Sequence, residues 1–97
     1  MNIDASISAM RAADTRLAVS ANNIANMFTP DFKASRAITR EQAAGFGVDV
    51  YTVATDHGTD LGEEIVDQSL TSNYARANGV VIKTSKENFG TLLNMFA

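Results

Sequence analysis

Apolar or small side chains recur along the first part of the chain at Ile3, Ile7, Met10, Leu17, Ala21, Ile24 and Phe28, the alternating four-and-three spacing of a heptad seam. Asp14 takes the one slot that the pattern reserves for an apolar residue. Alanines at 5, 9, 12, 13, 18 and 25 raise helix propensity and let another helix approach closely. The pattern predicts a helix from about Ile3 to Met27, roughly 37 Å long. Pro30 stops it, because proline disfavours helical geometry in Thr29 and lacks a backbone donor. A second helical pattern opens at "TDLGEE", where Asp60 can cap and Glu63 can return the bond as in a capping box. Leu61, Ile65, Leu70, Tyr74, Val81, Ile82, Phe89, Leu92, Leu93 and Phe96 continue it without a proline, so this helix is expected to run nearly to Ala97, roughly 54 Å if unbroken. Val81 with Ile82, and Leu92 with Leu93, place apolar groups on adjacent faces. One antiparallel partner cannot bury both faces, and helices from other molecules are expected to cover the remainder.

The middle has another texture. Residues 34–46 are mixed and polar, whereas "GVDVYTVAT" is rich in β-branched residues and partly alternates, which suggests a short strand or extended segment. "DHGTD" reads as a turn. The predicted fold is therefore mainly α, a single domain over 1–97. Its N-terminal helix lies within 1–29, a turn and short extended segment fill 30–59, and the C-terminal helix occupies 60–97. The two long terminal helices pack antiparallel as a coiled-coil-like hairpin.

Composition changes this picture little. A chain of 97 residues buries only about 60–65% of its unfolded surface when it folds alone. The N-terminus carries acidic residues where a secretory signal has a basic region, so no cleaved signal peptide is expected. There is no cysteine, which excludes disulfides and thiolate chemistry within the chain. Charge matters more. Residues 1–40 hold Arg11, Arg16, Lys33, Arg36 and Arg40 against Asp4, Asp14 and Asp31, a net +2, and the remainder carries a net −5. The two parts attract each other weakly, and no basic stripe for nucleic acid exists.

Candidate chemistry is thin. Asp56, His57 and Asp60, with Glu63 and Glu64 close behind, could be written as a metal site, but a lone histidine in a glycine-containing turn is more often solvated. "GFG" (Gly45 to Gly47) is not followed by the lysine and hydroxyl residue of a phosphate loop. Met10, Met27, Phe28, Phe89, Met95 and Phe96 suit helix packing. No catalytic residue, cofactor, metal or small-molecule substrate is expected.

The unusual feature is three asparagines, Asn22, Asn23 and Asn26, inside a helical pattern. Each costs about 0.6 kcal/mol relative to alanine in a helix interior. On one reading Asn26 caps the helix C-terminus and the other two are solvated. On another, the trio sits at a helix seam and sets how helices stack, because misaligned packing leaves an amide unsatisfied.

These residues also carry a family likeness. "ANNIANMFTPDFKASR" (Ala21 to Arg36) resembles the N-terminal motif of the flagellar rod, hook and hook-associated axial proteins. "TDLGEEIVDQSLTSNYARANGVVIKTSKENFGTLLNMF" (Thr59 to Phe96) resembles their C-terminal helix. The motif residues carried over are Ala21, Asn22, Asn23, Ile24, Ala25, Asn26, Thr29, Pro30, Phe32 and Lys33 at one end. At the other they are Asp60, Leu61, Glu64, Tyr74, Ala77, Asn78, Thr84, Leu92, Leu93 and Asn94. The resemblance implies that these are assembly residues in a structural subunit of the bacterial flagellar basal body rod. It further implies passage through the flagellar type III export apparatus and polymerisation with like or related axial subunits through the terminal helices. Asp31 stands where the family turn usually has glycine, and Gly79 where alanine is usual. The short middle points to a proximal-rod type of subunit, or to a shortened relative. The competing expectation is a helical adaptor or regulator of flagellar export that is never incorporated. Surface binding to membrane by the C-terminal helix is weaker, because that helix lacks a basic polar face.

Overall fold

The computed structural model describes residues 3–42 and 47–96. Ala97, at the end of the predicted second helix, and Gly45 and Phe46 of "GFG" lie outside the described residues. Four elements follow in order: α1 (Ile3–Ala25), β1 (Ser35–Glu41), β2 (Val48–Ala54) and α2 (Leu61–Phe96). The chain is mainly helical, with a small two-stranded antiparallel sheet between the helices. It is elongated, 63 × 25 × 15 Å, with a radius of gyration of 17.3 Å. A compact chain of this length has a radius of about 12.5 Å.

α1 ends two residues before the predicted Met27. The Met27 N–H reaches Ile24 O and the Thr29 N–H reaches Asn26 O, which tightens the chain into turns ahead of Pro30. Asp31 holds φ at 61°, a left-handed conformation that aspartate tolerates better than most residues, so the glycine of the related turns is replaceable here. Asp60 Oδ1 accepts the Glu63 N–H at 3.2 Å and caps α2. Glu63 does not return the bond among the described residues.

The strand expected over 47–55 is β2. The "mixed and polar" reading of 34–46 needs correction: Ser35–Glu41 pairs with Val48–Ala54 from Ser35↔Ala54 to Glu41↔Val48. Its sequence, SRAITRE, has only Ile38 and Thr39 as β-branched residues, so local propensity hides the strand and pairing with β2 creates it.

The hairpin of α1 and α2 is antiparallel, as expected, but its seam is different. The residues of α1 that are buried are Ser6, Ala9, Ala12, Ala13, Ser20 and Asn23, not the heptad set Ile3, Ile7, Met10, Leu17, Ala21, Ile24 and Phe28. Ile7 and Phe28 are exposed, as is Asp14, so the aspartate interrupts nothing. On α2 the covered positions are Glu64, Asp67, Gln68, Thr71, Ala75, Asn78, Val81, Ile82 and Ser85, again spaced by threes and fours. The inner seam is small and polar on α1 and along most of α2, where Val81 and Ile82 are the apolar exceptions. Small side chains let two backbones approach closely, and this approach selects the alanine and serine stripe over the bulkier one beside it.

The ribbon lies along α1 and is fastened to it at both ends. The fifteen helical steps from Ser8 to Asn23 span about 22 Å, and the six steps of a seven-residue strand span about 20 Å. The lengths match, so one helix side chain can hold each end. Asn23 holds Ser35 of β1. Ser8 Oγ accepts the Val48 N–H at 3.0 Å and donates to Val48 O at 2.7 Å. Gly47 makes the second fastening possible. Its φ is +98°, and a Cβ there would stand 2.7 Å from Ser8 Oγ. Gly47→Ala is expected to cost about 1–3 kcal/mol through left-handed strain and displacement of Ser8. Loss of amide-exchange protection at Val48, greater than at Ser35, is the measurement that checks it.

Candidate functional site

Asn23 is the point where α1, β1 and α2 meet. It is 1% exposed, and its side-chain amide is fully used. Nδ2 donates to Ser35 O at 2.8 Å and to Glu64 Oε1 at 3.0 Å, while Oδ1 accepts the Ser35 N–H at 2.9 Å. Its backbone carbonyl is one of those left without an intrahelical partner at a helix end, and Thr59 Oγ1 donates to it at 2.6 Å. The other oxygen of the Glu64 carboxylate accepts from the Ser20 hydroxyl, which in turn accepts from Gln68 Nε2 at 3.1 Å. One turn further, Arg16 pairs with Asp67 at 2.6 Å. That pair joins the more basic part of the chain to the more acidic part, and at its partial exposure is worth about 0.2–1 kcal/mol.

The asparagine trio therefore divides between the two readings. Asn23 is the seam residue. Asn26 is the cap, its Nδ2 donating to Asn22 O at 3.0 Å and its Oδ1 accepting from Thr29 Oγ1 at 3.2 Å. Asn22 is exposed and contributes that backbone oxygen.

Of the other motif residues, Glu64 joins the Asn23 junction. Asn78 lies on the covered side of α2 and donates to Tyr74 O at 3.0 Å. Ile24 and Phe32 are half-buried. Ala21, Ala25, Thr29, Pro30, Lys33, Asp60, Leu61, Tyr74, Ala77, Thr84, Leu92, Leu93 and Asn94 are exposed. Ser8, Ser20, Ser35, Thr59 and Gln68 complete the two fastenings and carry no sign of it in the sequence, because an isolated serine or threonine has no periodic signal. Asp56, His57, Asp60, Glu63 and Glu64 do not converge: His57 Nδ1 contacts Gly58 O at 2.8 Å, Asp60 caps α2, and Glu64 faces Ser20 and Asn23.

The second feature is the surface left outside the seam. Among the described residues the buried apolar side chains are all alanine: Ala9, Ala12, Ala13 and Ala34. Ile65, Val66, Leu70, Val80, Phe89, Leu92, Leu93, Met95 and Phe96 are between 52% and 87% exposed. From the pairing of Asn23 with Glu64, α1 ends opposite about residue 84, so the last dozen residues of α2 project roughly 17 Å beyond it. The chain exposes 6826 Å², against about 5,400 Å² for a compact monomer of 10.4 kDa.

An elongated helical hairpin with an alanine core leaves its large side chains outward, a surface of the kind that marks interaction sites. Residues 3–33, comprising α1 and the turn that follows it, match the family model described as flagella basal body rod protein. The match covers 31 of the 97 residues. No curated protein matches the chain.

Proposed function

We propose that this protein is a structural subunit of the flagellar basal body rod, exported by the flagellar type III system and polymerising through its terminal helices with like or related axial subunits. The observation that carries the reading is the division of side chains on α2: apart from Val81 and Ile82, small and polar groups face α1, and Ile65, Val66, Leu70, Val80, Phe89, Leu92, Leu93 and Phe96 face outward. Burying one such side chain contributes about 1.5–3 kcal/mol, and the free chain leaves that gain unrealised. The matched rod family and the motif residues on both helices support the same conclusion. In assembly, the Asn23 junction sets the angle between the helices and the ribbon, while the outer face of α2 supplies the adhesive surface. The chain needs no catalytic group for this role.

The test is quantitative peptide mass spectrometry on purified hook-basal bodies, normalised to a known rod component. A fixed ratio to that component is the expected result. Absence from the particles, with the protein retained in the cytosol, overturns the proposal and favours the unincorporated adaptor.

A further inference from the structure

The hydrogen-bond phase of the ribbon is determined by its ends. The Thr55 N–H reaches Ala34 O and the Gln42 N–H reaches Gly47 O, both at 2.9 Å, so Arg36, Ile38 and Arg40 bond across to Val53, Tyr51 and Asp49. The backbone groups of Ser35, Ala37, Thr39 and Glu41 on β1, and of Val48, Val50, Thr52 and Ala54 on β2, point away from the ribbon. Asn23 takes those of Ser35 and Ser8 takes those of Val48, while Asp49 Oδ1 takes the Val50 N–H at 2.9 Å. Ala37, Thr39 and Glu41 on one edge, and Thr52 and Ala54 on the other, find no partner among the described residues. Neither strand contains proline or lysine, the usual guards of an exposed edge.

We propose that these two edges are a second assembly surface, in which Ala37 and Thr39 of one copy pair antiparallel with Ala54 and Thr52 of another. The spacing of two on each edge lets both pairs exchange N–H and C=O groups, giving four hydrogen bonds. Pairing stops at Ser35 and Val50, whose groups are already engaged. The incoming strand enters a groove of roughly 470 Å³ between β1 and α2, where it covers Val66 and Leu70. Each copy offers β1 to one neighbour and β2 to another, so the contact is heterologous and propagates. The inference rests on the assembly reading above, which holds copies side by side, and it adds a contact made by the middle of the chain rather than by its helices.

The absence of cysteine makes the test direct. Thr39→Cys and Thr52→Cys chains, mixed under mild oxidation, are expected to form the 39–52 disulfide at least about tenfold faster than 39–39 or 52–52. Directly paired residues stand about 5.5 Å apart at Cα, within disulfide reach. No preference for the mixed disulfide, or dominance of 39–39, overturns the proposal. Thr39→Pro removes an outward donor without touching the ribbon's own ladder. It is expected to weaken self-association about tenfold with an unchanged far-ultraviolet spectrum, and unaltered self-association also overturns the proposal. Rod incorporation without the 39–52 disulfide would remove the edge contact alone. The disulfide in a protein absent from hook-basal bodies would remove the rod assignment alone.

Discussion

Replacing Asn23 with leucine is expected to leave α1 helical and to release the ribbon. Leucine is the better helix former by about 0.4 kcal/mol, so helix content should not fall. The junction loses three side-chain hydrogen bonds, to Ser35 O, Ser35 N–H and Glu64. Each buried polar group left unpaired costs about 1–3 kcal/mol, and water entering the opened junction recovers part of that. A net loss of about 3–5 kcal/mol is expected, large for a chain with an alanine core. The Ser35 amide reports it most directly, because its acceptor is Asn23 Oδ1. Its exchange protection should collapse while that of mid-α1 amides is retained. Assembly should fail with it, since the helix pair and ribbon no longer hold one relative orientation. Retained protection at Ser35 together with normal assembly would end the argument that Asn23 sets the geometry.

Replacing Leu92 and Leu93 with asparagine should do the reverse. Both side chains are more than half exposed in the single chain, at 52% and 55%, and both lie beyond the reach of α1. The isolated subunit should keep its fold. If neighbours bury these groups, the pair contributes about 3–6 kcal/mol to assembly, and the critical concentration for self-association should rise by about two to four orders of magnitude. Sedimentation across a concentration series measures it. An unchanged critical concentration would show that the overhang of α2 is not an adhesive surface. Loss of the monomer fold itself would show that these leucines pack within the chain.

The contrast between the two variants separates local properties of the chain from those that need its fold. The lengths of both helices, the cap at Asp60, the strand in "GVDVYTVAT" and the surplus of apolar residues on α2 are local and legible in the sequence. Each follows from periodicity, β-branched content or one polar side chain at a boundary. The family likeness is legible for the same reason, since its motifs are contiguous in sequence and residues 3–33 suffice to match the rod model. The heptad Ile3, Ile7, Met10, Leu17, Ala21, Ile24 and Phe28 is equally visible and points to the wrong seam. Periodicity identifies a stripe that will be buried, but it does not say whether the chain's own second helix or another molecule buries it.

Tertiary structure decided that question. Close approach of two helix backbones requires the serine and alanine stripe between them, which turns the bulky stripes outward. It also made β1 from a sequence with little strand propensity, by pairing it with β2 and fastening its end to Asn23. Ser8, Ser20 and Thr59 acquired roles through contacts across 36 to 44 positions in the chain, a separation over which one sequence carries no signal. The sequence by itself determined the helices, the turn chemistry and the amount of apolar surface. Only the fold decided which surface remains outward, because small residues win most of the inner seam by allowing backbones to approach, and the larger side chains of α2 are mostly left outside it.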